Sequence, residues 1–251
     1  MASPLVVPAL KKHTATVIMA HGLGDSGAGW IFLAQNWRRR GKFDEVKFIF
    51  PNAPTIRITV TGGFPMPGWY DIMSFSDLSG SNDTNGIIRS RDYFASLIQT
   101  EISTNSISPS RILLGGFSQG GAMSLFTALT LPTKIGGFFC LSSYLLLADK
   151  IKEHAENEGK GANLKTPIFM GHGDSDPLVL YNWGQRSSEA VRELGYQVDF
   201  RTYEGLEHSA ALQEIDDVEA FITNVLENEP IPTGSASSSS AQPTNIGHPG
   251  L

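Results

Sequence analysis

The sequence predicts an α/β fold in which helices cover both faces of a mostly parallel central sheet. Short apolar runs recur along the chain, helical patterns lie between them, and most of the runs are continuously apolar. Strands of that kind, alternating with helices, are typical of a parallel sheet that is buried on both faces. A chain of 251 residues is long enough to form one such domain with a substantial core.

The individual elements follow from hydrophobic periodicity. Five apolar runs, each bounded by turn residues, are predicted as buried strands: 15–20, 46–50, 111–116, 136–141 and 167–171. A sixth run, at 197–203, alternates apolar and polar residues, as expected nearer a sheet edge. Two amphipathic helices are predicted from apolar residues that share one face: Ile87, Phe94, Ile98 and Ile102 in the first, and Ile215, Val218, Ile222 and Val225 in the second.

Two segments lack this periodicity. Residues 53–86 are rich in Gly, Pro, Ser and Asn, and a stretch that long inside a compact domain is usually functional or contains short structure of its own. Residues 229–251 form a low-complexity segment rich in Ser and Pro, which is predicted to be disordered. The sequence therefore predicts a single domain over 1–228 and a disordered C-terminal tail over 229–251.

Composition argues against several classes of protein. The net charge of −6 disfavours binding to nucleic acid or to an anionic membrane by bulk electrostatics. The one cysteine, Cys140, cannot form an intramolecular disulfide and is predicted to be a buried core residue. The N-terminal apolar segment is short and broken by Pro4 and Pro8, unlike a signal peptide, and no apolar run is long enough to span a membrane. A cytoplasmic protein without stable membrane insertion is therefore expected.

The first chemical signal is a serine surrounded by glycines. Ser118 lies in Gly116-Phe117-Ser118-Gln119-Gly120, a G-x-S-x-G pattern between a predicted strand and a helix-compatible run. That context is typical of a nucleophile elbow, in which the glycines leave room for the strand to approach the helix. The free N–H groups at the helix N-terminus would face developing negative charge. The alternative is a glycine-rich turn in which Ser118 merely caps the helix.

A serine nucleophile needs a base, and the chain has six histidines. In an α/β-hydrolase the catalytic residues follow in the order Ser, acid, His, so the base must come late. His208 precedes the closing helix and is the late histidine outside the tail. Three others lie in polar segments and are predicted to be solvated: His13, His154 and His248. His21 and His172 each end an apolar strand.

The acid is expected after a strand that lies between Ser118 and His208 in the chain. Asp174 and Asp176 both follow the strand at 167–171, and open α/β sheets carry their chemistry at the carboxyl ends of strands. The residues alone do not choose between the two, because Asp174 is also a good turn-forming residue. The D-x-D spacing leaves a metal pair as a minor alternative, which the lack of nearby cysteines or of a second carboxylate cluster disfavours.

An oxyanion hole completes such a site. Its usual donors are the backbone N–H after the nucleophile, here that of Gln119, and one from a loop after an early strand. The His-Gly loop at 21–30 follows the first strong strand, and Leu23 is its natural donor. The loop fits neither G-x-G-x-x-G nor a P-loop, so a phosphate-binding role is disfavoured.

Six segments in this order closely resemble the acyl-protein thioesterases of the phospholipase/carboxylesterase family: HGLGDSGAGW, PNAP, MPGWYDI, ILLGGFSQGGAMSL, GHGDSDPLV and YEGLEHS. The resemblance runs from about Thr16 to Leu226 and implies the α/β-hydrolase fold. It implies Ser118, Asp176 and His208 as the triad, since the family's acid has the D-P-x-V context, with Leu23 and Gln119 as backbone donors. It also implies an acyl-binding channel near the irregular segment. Channel positions of that kind are Ile72, Phe75, Leu78, Leu178 and Trp69. For Trp69 the alternative is packing in the local core of the irregular segment.

The resemblance further implies a serine esterase that removes palmitoyl-type chains from protein cysteines, with weak lysophospholipase activity and no metal or other cofactor. G-protein α subunits and Ras-type GTPases are the implied substrates, cytoplasm and nucleus the implied locations, and a monomer or weak homodimer the implied state. The alternatives are a general carboxylesterase and a non-catalytic protein that binds lipid or a partner. One departure is Ser143-Tyr144, where animal members carry Cys-Trp, so the preferred chain length does not transfer.

Overall fold

A computed structural model describes residues 2–74 and 83–228 of the chain. Its strands, in chain order, are β1 Ala2–Val7, β2 Ala15–Ala20, β3 Val46–Asn52, β4 Thr55–Ile58, β5 Phe64–Pro67, β6 Ile112–Phe117, β7 Gly137–Leu141, β8 Pro167–Gly173 and β9 Gln197–Tyr203. Within these ranges a seven-stranded sheet has the order β1-β3-β2-β6-β7-β8-β9, while β4 and β5 form a separate antiparallel hairpin. All neighbours in the large sheet are parallel except β1, which pairs antiparallel with β3 at the edge.

Helices cover both faces of the large sheet. In chain order they are α1 Ile31–Arg39, α2 Thr84–Ser103, α3 Gln119–Thr130, α4 Ile151–His154, α5 Tyr181–Glu193 and α6 Leu212–Asn228. Apolar residues of α1 and α6, such as Trp37 and Ile222, pack on one face, and residues of α2, α3 and α5, such as Phe94 and Met123, pack on the other. The helix α3 is buried along its whole length, so its N-terminus is fixed at the carboxyl end of β6.

The predicted α/β class, the six strands and the two amphipathic helices are confirmed. The strand β9 lies at the edge of the sheet, as its alternating pattern indicates. Cys140 is free and buried in β7. The tail at 229–251 lies outside the described residues, so the domain boundary and the disorder remain predictions. Within the described ranges, no helix combines the length and apolarity that crossing a bilayer requires.

The strand β1 and the hairpin of β4 and β5 were not predicted from the sequence. Proline interrupts the first of these segments, and the pairing of β1 with β3 shifts between Ala2 and Leu5, where Pro4 lies. An edge strand with an irregular register tolerates proline, which a central strand does not. The hairpin lies inside the aperiodic segment 53–86. Short structure was one of the two expectations for that segment, but its sequence did not predict where the strands lie.

Glu214 is a buried carboxyl group in the first turn of α6. Neither of its side-chain oxygens has a hydrogen-bond partner among the described residues. Burial, and to a smaller extent the nearby charge of Asp217, raises the pKa of Glu214 to about 8. The side chain is therefore protonated at neutral pH, and its ionisation above that range opposes folding.

We expect Glu214→Gln to flatten the decline of stability between about pH 5 and pH 8. The pKa in the folded state lies above the unfolded value of 4.5, so the folded state binds more protons in this window. The free energy of unfolding of the wild type then falls as pH rises, by up to about 1.4 kcal/mol per pH unit from this group. Glutamine mimics the protonated acid and removes that dependence.

Urea unfolding at several pH values measures the effect. The matched control is Glu227→Gln, the same change at an exposed position of α6, which should run parallel to the wild type. If Glu214→Gln also runs parallel, Glu214 is not a buried neutral acid.

Candidate active site

Ser118 lies at the sharp turn between β6 and α3. Its backbone has φ 55° and ψ −119°, a conformation that is strained for a residue with a side chain and that clusters at functional sites. Its amide donates a hydrogen bond to the carbonyl of Leu141 at 2.8 Å, which fixes the turn against β7. The Ser118 side chain makes no capping hydrogen bond to α3, which contradicts the alternative of a simple helix cap. The hydroxyl is directed elsewhere.

The glycines around Ser118 are required by close packing. A Cβ on Gly116 would clash with the backbone of Gly120, and one on Gly120 would clash with the carbonyls of Ala20 and His21. The turn, the helix start and the end of β2 therefore approach more closely than any side chain at these two positions would allow. This proximity brings the loop after β2 alongside Ser118.

His208 and Asp176 complete a hydrogen-bonded chain that begins at Ser118. The distance from His208 Nε2 to Ser118 Oγ is 2.9 Å, and that from His208 Nδ1 to Asp176 Oδ2 is 2.7 Å. An ionised carboxylate only accepts, so Nδ1 donates to Asp176 and Nε2 is free to accept the hydroxyl proton of Ser118. The ring of His208 packs on Phe117, with 4.8 Å between ring centroids. The structure therefore brings together the three side chains that the sequence analysis selected.

The turn after β8 supplies the buried carboxylate. Oδ1 of Asp176 accepts hydrogen bonds from the backbone amides of Leu178 and Val179, both at 2.9 Å. Burial by itself raises the pKa of Asp176, but the hydrogen bond and charge of His208 and the two amides outweigh it, so the pKa is lowered. Asp174 is exposed and accepts instead from the amide of Gly205 at 2.7 Å. Of the two aspartates, Asp176 therefore contacts His208.

His172 stabilises the same turn through a hydrogen bond to its backbone. Its Nε2 donates to the carbonyl of Val179 at 2.8 Å and lies 3.6 Å from Oδ2 of Asp176. Burial lowers the pKa of His172, more strongly than its hydrogen bond and the nearby carboxylate raise it, so the ring is neutral. In the sequence this histidine is recognisable only as the end of a strand, because nothing local indicates which carbonyl it contacts.

Leu23 and Gln119, the predicted oxyanion donors, lie beside Ser118 at the cavity. Gln119 is the first residue of α3, so its N–H has no acceptor within the helix. Gly22 lies against Ser118, since a Cβ built on it would be 3.3 Å from the Ser118 Cβ. Leu23 and Gln119 both line the cavity next to Ser118 and His208, and no acceptor for either amide is found among the described residues. Both are free to bind an anionic oxygen.

The cavity has a volume of about 310 Å³ and is largely apolar beyond the polar cluster. Of the expected channel residues, Ile72 and Leu178 line it, whereas Phe75 and Leu78 lie outside the described residues. Tyr144, at which the sequence departs from the animal members, also lines it. Its further lining residues, which the sequence did not indicate for the channel, include Trp30, Phe117 and Val179. Trp30 lies in the predicted loop 21–30 and Phe117 in the G-x-S-x-G pattern, so their positions in these segments are the sequence signal that could have identified them.

The placement of Trp69 corrects its expected role as an acyl-contact residue. Trp69 is fully buried and does not line the cavity. Its indole donates to the carbonyl of His21 at 2.8 Å, and its ring packs on Phe94. A tryptophan in an aperiodic segment looks the same in sequence whether its ring faces a ligand or the core.

The structure also shows the surroundings of two of the remaining histidines and tests the alternative of a metal site. His13 is half-buried and bonded to Thr16 at 2.9 Å, and His154 is half-buried and bonded to Glu158 at 2.6 Å, so both are only partly solvated. Both histidines lie in polar segments, and their hydrogen-bond partners are seen only in the folded structure. His248 lies outside the described residues. Within residues 2–74 and 83–228, no group of three or more His, Cys, Asp or Glu side chains could hold a metal ion.

A serine at a strand–helix elbow of a mostly parallel sheet defines the class of the protein as an α/β-hydrolase. The family model described as Phospholipase/Carboxylesterase matches residues 1–226, and the chain belongs to that family.

Individual relatives cover nearly the same span. Acyl-protein thioesterase 1 of Emericella nidulans is 55% identical over 234 residues, which is 90% of this chain and 97% of the relative. The protein of the same name from Aspergillus fumigatus is 50% identical over 234 residues, 90% of this chain and 94% of the relative. The crystal structure of Zea mays acyl-protein thioesterase 2 matches with a TM-score of 0.79 at 30% identity, over 90% of this chain and 100% of that one. The chain is therefore a serine hydrolase.

Proposed function

We propose that this enzyme is an acyl-protein thioesterase, which removes long-chain acyl groups of the palmitoyl type from S-acylated cysteines through an acyl-enzyme on Ser118. The observation that carries the proposal is the continuous hydrogen-bonded chain from Ser118 through His208 to Asp176, at 2.9 and 2.7 Å. The relatives named acyl-protein thioesterase support the choice of thioester substrates.

The first half-reaction forms the acyl-enzyme. His208 Nε2 takes the hydroxyl proton as Ser118 Oγ attacks the thioester carbonyl, and Asp176 stabilises the imidazolium through Nδ1–H. The N–H groups of Leu23 and Gln119 stabilise the oxyanion of the tetrahedral intermediate. The C–S bond then breaks, and His208 returns its proton to the departing cysteine sulfur.

The second half-reaction releases the fatty acid. A water molecule gives a proton to His208 Nε2 as its oxygen attacks the acyl carbonyl. The same two amides stabilise the second oxyanion, after which the bond to Ser118 Oγ breaks and the serine recovers its proton. The described residues supply every proton transfer in this cycle.

The cavity supports an acyl group as the bound part of the substrate. Apolar side chains including Ile72, Leu178 and Val179 line the space next to Ser118. Each methylene buried in such an environment contributes about 0.8 kcal/mol, so longer chains gain affinity as long as the cavity accepts them. Tyr144 forms part of the wall, and its hydroxyl is bonded to that of Tyr70 at 2.7 Å. This pair fixes the wall at the position where the sequence departs from the family pattern, and we expect the preferred chain length to depend on it.

A second candidate function uses the same residues. The triad attacks oxygen esters by the same chemistry, and an apolar cavity also accepts the chain of a lysophospholipid or a small ester. A general carboxylesterase or lysophospholipase is therefore the alternative. Structures of this fold that share under 25% identity, among them an esterase, agree with the architecture alone.

The proposal extends to partners and location. G-protein α subunits and Ras-type GTPases are the proposed substrates. The proposed oligomeric state is a monomer or a weak homodimer, and the proposed locations are the cytoplasm and the nucleus. The free, buried Cys140 is compatible with a reducing compartment. Loss of palmitate from a labelled GTPase after addition of the enzyme tests the first of these.

A hydrolysis panel tests the activity. Palmitoyl, octanoyl and acetyl groups are each presented as a peptide thioester and as an oxygen ester. We expect kcat/KM to be highest for the palmitoyl thioester, by at least about tenfold over the acetyl ester, because the cavity rewards buried methylenes. A short acetate ester that reacts as well as the S-palmitoylated peptide would overturn the thioesterase proposal in favour of the carboxylesterase.

A further inference from the structure

Three segments that are far apart in the chain meet beside Ser118. The loop after β2 carries Leu23, the start of α3 carries Gln119, and the segment that follows β5 carries Trp69. Leu23 and Gln119 line the cavity, whereas Trp69 does not. What Trp69 contacts is therefore informative.

Every polar group of Trp69 is bonded. Its indole Nε1 donates to the carbonyl of His21 at 2.8 Å, and its backbone amide donates to Oε1 of Gln119 at 2.7 Å. Its carbonyl accepts from the hydroxyl of Ser90 at 2.5 Å. The Gln119 side chain also donates through Nε2 to the carbonyl of Tyr70 at 2.8 Å. Trp69 is thus hydrogen-bonded to both amide-bearing segments.

The contact with His21 bears on the direction of the Leu23 amide. His21 Nε2 accepts from the amide of Ala53 at 3.1 Å, so the ring proton is on Nδ1, which donates to the carbonyl of Gly22 at 2.7 Å. In a trans peptide the C=O and the following N–H point in opposite directions. Since the Gly22 carbonyl faces His21, the Leu23 N–H points away from His21, and Leu23 lines the cavity. The indole fixes the main chain and, by ring contact at 5.1 Å, the side chain of His21.

Burial alone does not account for these bonds. Trp37 is also buried, packs on Phe43 and Phe48, and leaves its indole Nε1 without a partner among the described residues. The two tryptophans are thus matched in size and burial and differ in one hydrogen bond to the segment that precedes Leu23.

We propose that Trp69 is a positioning residue for the oxyanion hole. Its indole aligns the Leu23 amide through the bond to the His21 carbonyl, and its backbone amide aligns the Gln119 amide through the bond to the Gln119 side chain. The inference rests on the proposed function, in which these amides bind the oxyanion. Trp69 itself contacts no reacting atom. Its contribution appears in the transition state, where charge develops on the oxygen, and little in the binding of the ground state.

The test compares Trp69→Phe with Trp37→Phe. Both changes delete an indole N–H and keep an aromatic ring, but only the first removes a hydrogen bond. We expect Trp69→Phe to lower kcat by about 10- to 100-fold with KM changed less than about threefold, because a small misplacement of a catalytic donor costs that much. Affinity for an alkyl trifluoromethyl ketone, which forms a tetrahedral adduct, should fall by a similar factor. Trp37→Phe should keep the wild-type kcat even where it lowers the melting temperature.

A second variant guards against a folding defect. Gln119→Met keeps the backbone amide and the volume of the side chain but removes its bonds to Trp69 and Tyr70, so we expect the same kcat-selective loss. The double variant Trp69→Phe/Gln119→Met should lose less than the product of the two single factors, since both act on one arrangement. A kcat within twofold of the wild type for Trp69→Phe, or equal losses in Trp37→Phe, overturns the proposal.

The assay separates this inference from the proposed function. Wild-type and variant enzymes are measured on a p-nitrophenyl ester as well as on the palmitoyl thioester. A failure of the thioesterase proposal appears as lack of thioester preference in the wild type, whereas a failure of the Trp69 proposal appears as an unchanged kcat in the variant on both substrates.

Discussion

Replacing Ser118 with alanine is expected to lower kcat/KM for the palmitoyl thioester by about 10⁵- to 10⁶-fold, as is typical when a triad nucleophile is removed. The hydroxyl oxygen forms the acyl-enzyme, and among the described residues only Ser118 bonds to Nε2 of His208. Folding should be retained, because alanine fits the space and the turn is held by backbone contacts with Leu141. The φ of 55° is unfavourable for alanine as it is for serine, so the strain does not change much.

The measurement pairs steady-state hydrolysis with labelling by a fluorophosphonate probe, and Ser118→Ala should lose both. The matched control is Ser124→Ala, the same change within α3, where the hydroxyl only bonds to the carbonyl of Gly120. That variant should hydrolyse and label like the wild type. Wild-type rates in Ser118→Ala would show that the chemistry takes place elsewhere.

The parts of the site that depend on neighbouring residues in the sequence were predictable. The glycines around Ser118 are required by packing at the turn, and the same local pattern carries the Gln119 amide. The order of Ser118, an aspartate after a strand and a late histidine is that of the α/β-hydrolases, and the parallel strands bring the serine and the aspartate to the same edge of the sheet. Residues alone left Asp174 and Asp176 equivalent, and the family resemblance favoured the second. The structure distinguishes them by which carboxylate faces His208.

The parts that sequence reasoning missed depend on packing between distant segments. The bonds of Trp69 to His21 and Gln119 span parts of the chain with no common pattern, so the sequence indicates only a tryptophan in an aperiodic stretch. His172 supports the Asp176 turn through a carbonyl, and any residue carries a carbonyl. Local composition also underestimated the burial of His13, which lies in a polar segment but is half-buried and bonded to Thr16. Contacts to backbone groups leave no signature in one sequence.

Replacing Asp176 with asparagine is expected to lower kcat/KM by about 10⁴-fold while the fold is kept. Oδ1 of Asp176 accepts from the amides of Leu178 and Val179, and an asparagine keeps both bonds only if its carbonyl oxygen takes that place. Its NH₂ group then faces Nδ1 of His208 where Oδ2 stood. Nδ1 must accept, so the ring proton moves to Nε2, which then cannot take the proton of Ser118. The variant keeps the geometry and loses the base.

The matched control is Asp174→Asn, two residues earlier in the same turn. Asp174 accepts from the amide of Gly205, a bond that an asparagine oxygen also forms, so its kcat/KM should stay within a few-fold of the wild type. Steady-state rates across pH distinguish the two variants, because the wrong tautomer lowers the rate where the wild-type base is fully active. Equal losses in both variants would mean that the turn as a whole, and not the carboxylate of Asp176, maintains the tautomer of His208. A large loss in Asp176→Asn alone assigns that role to the one carboxylate that contacts the imidazole.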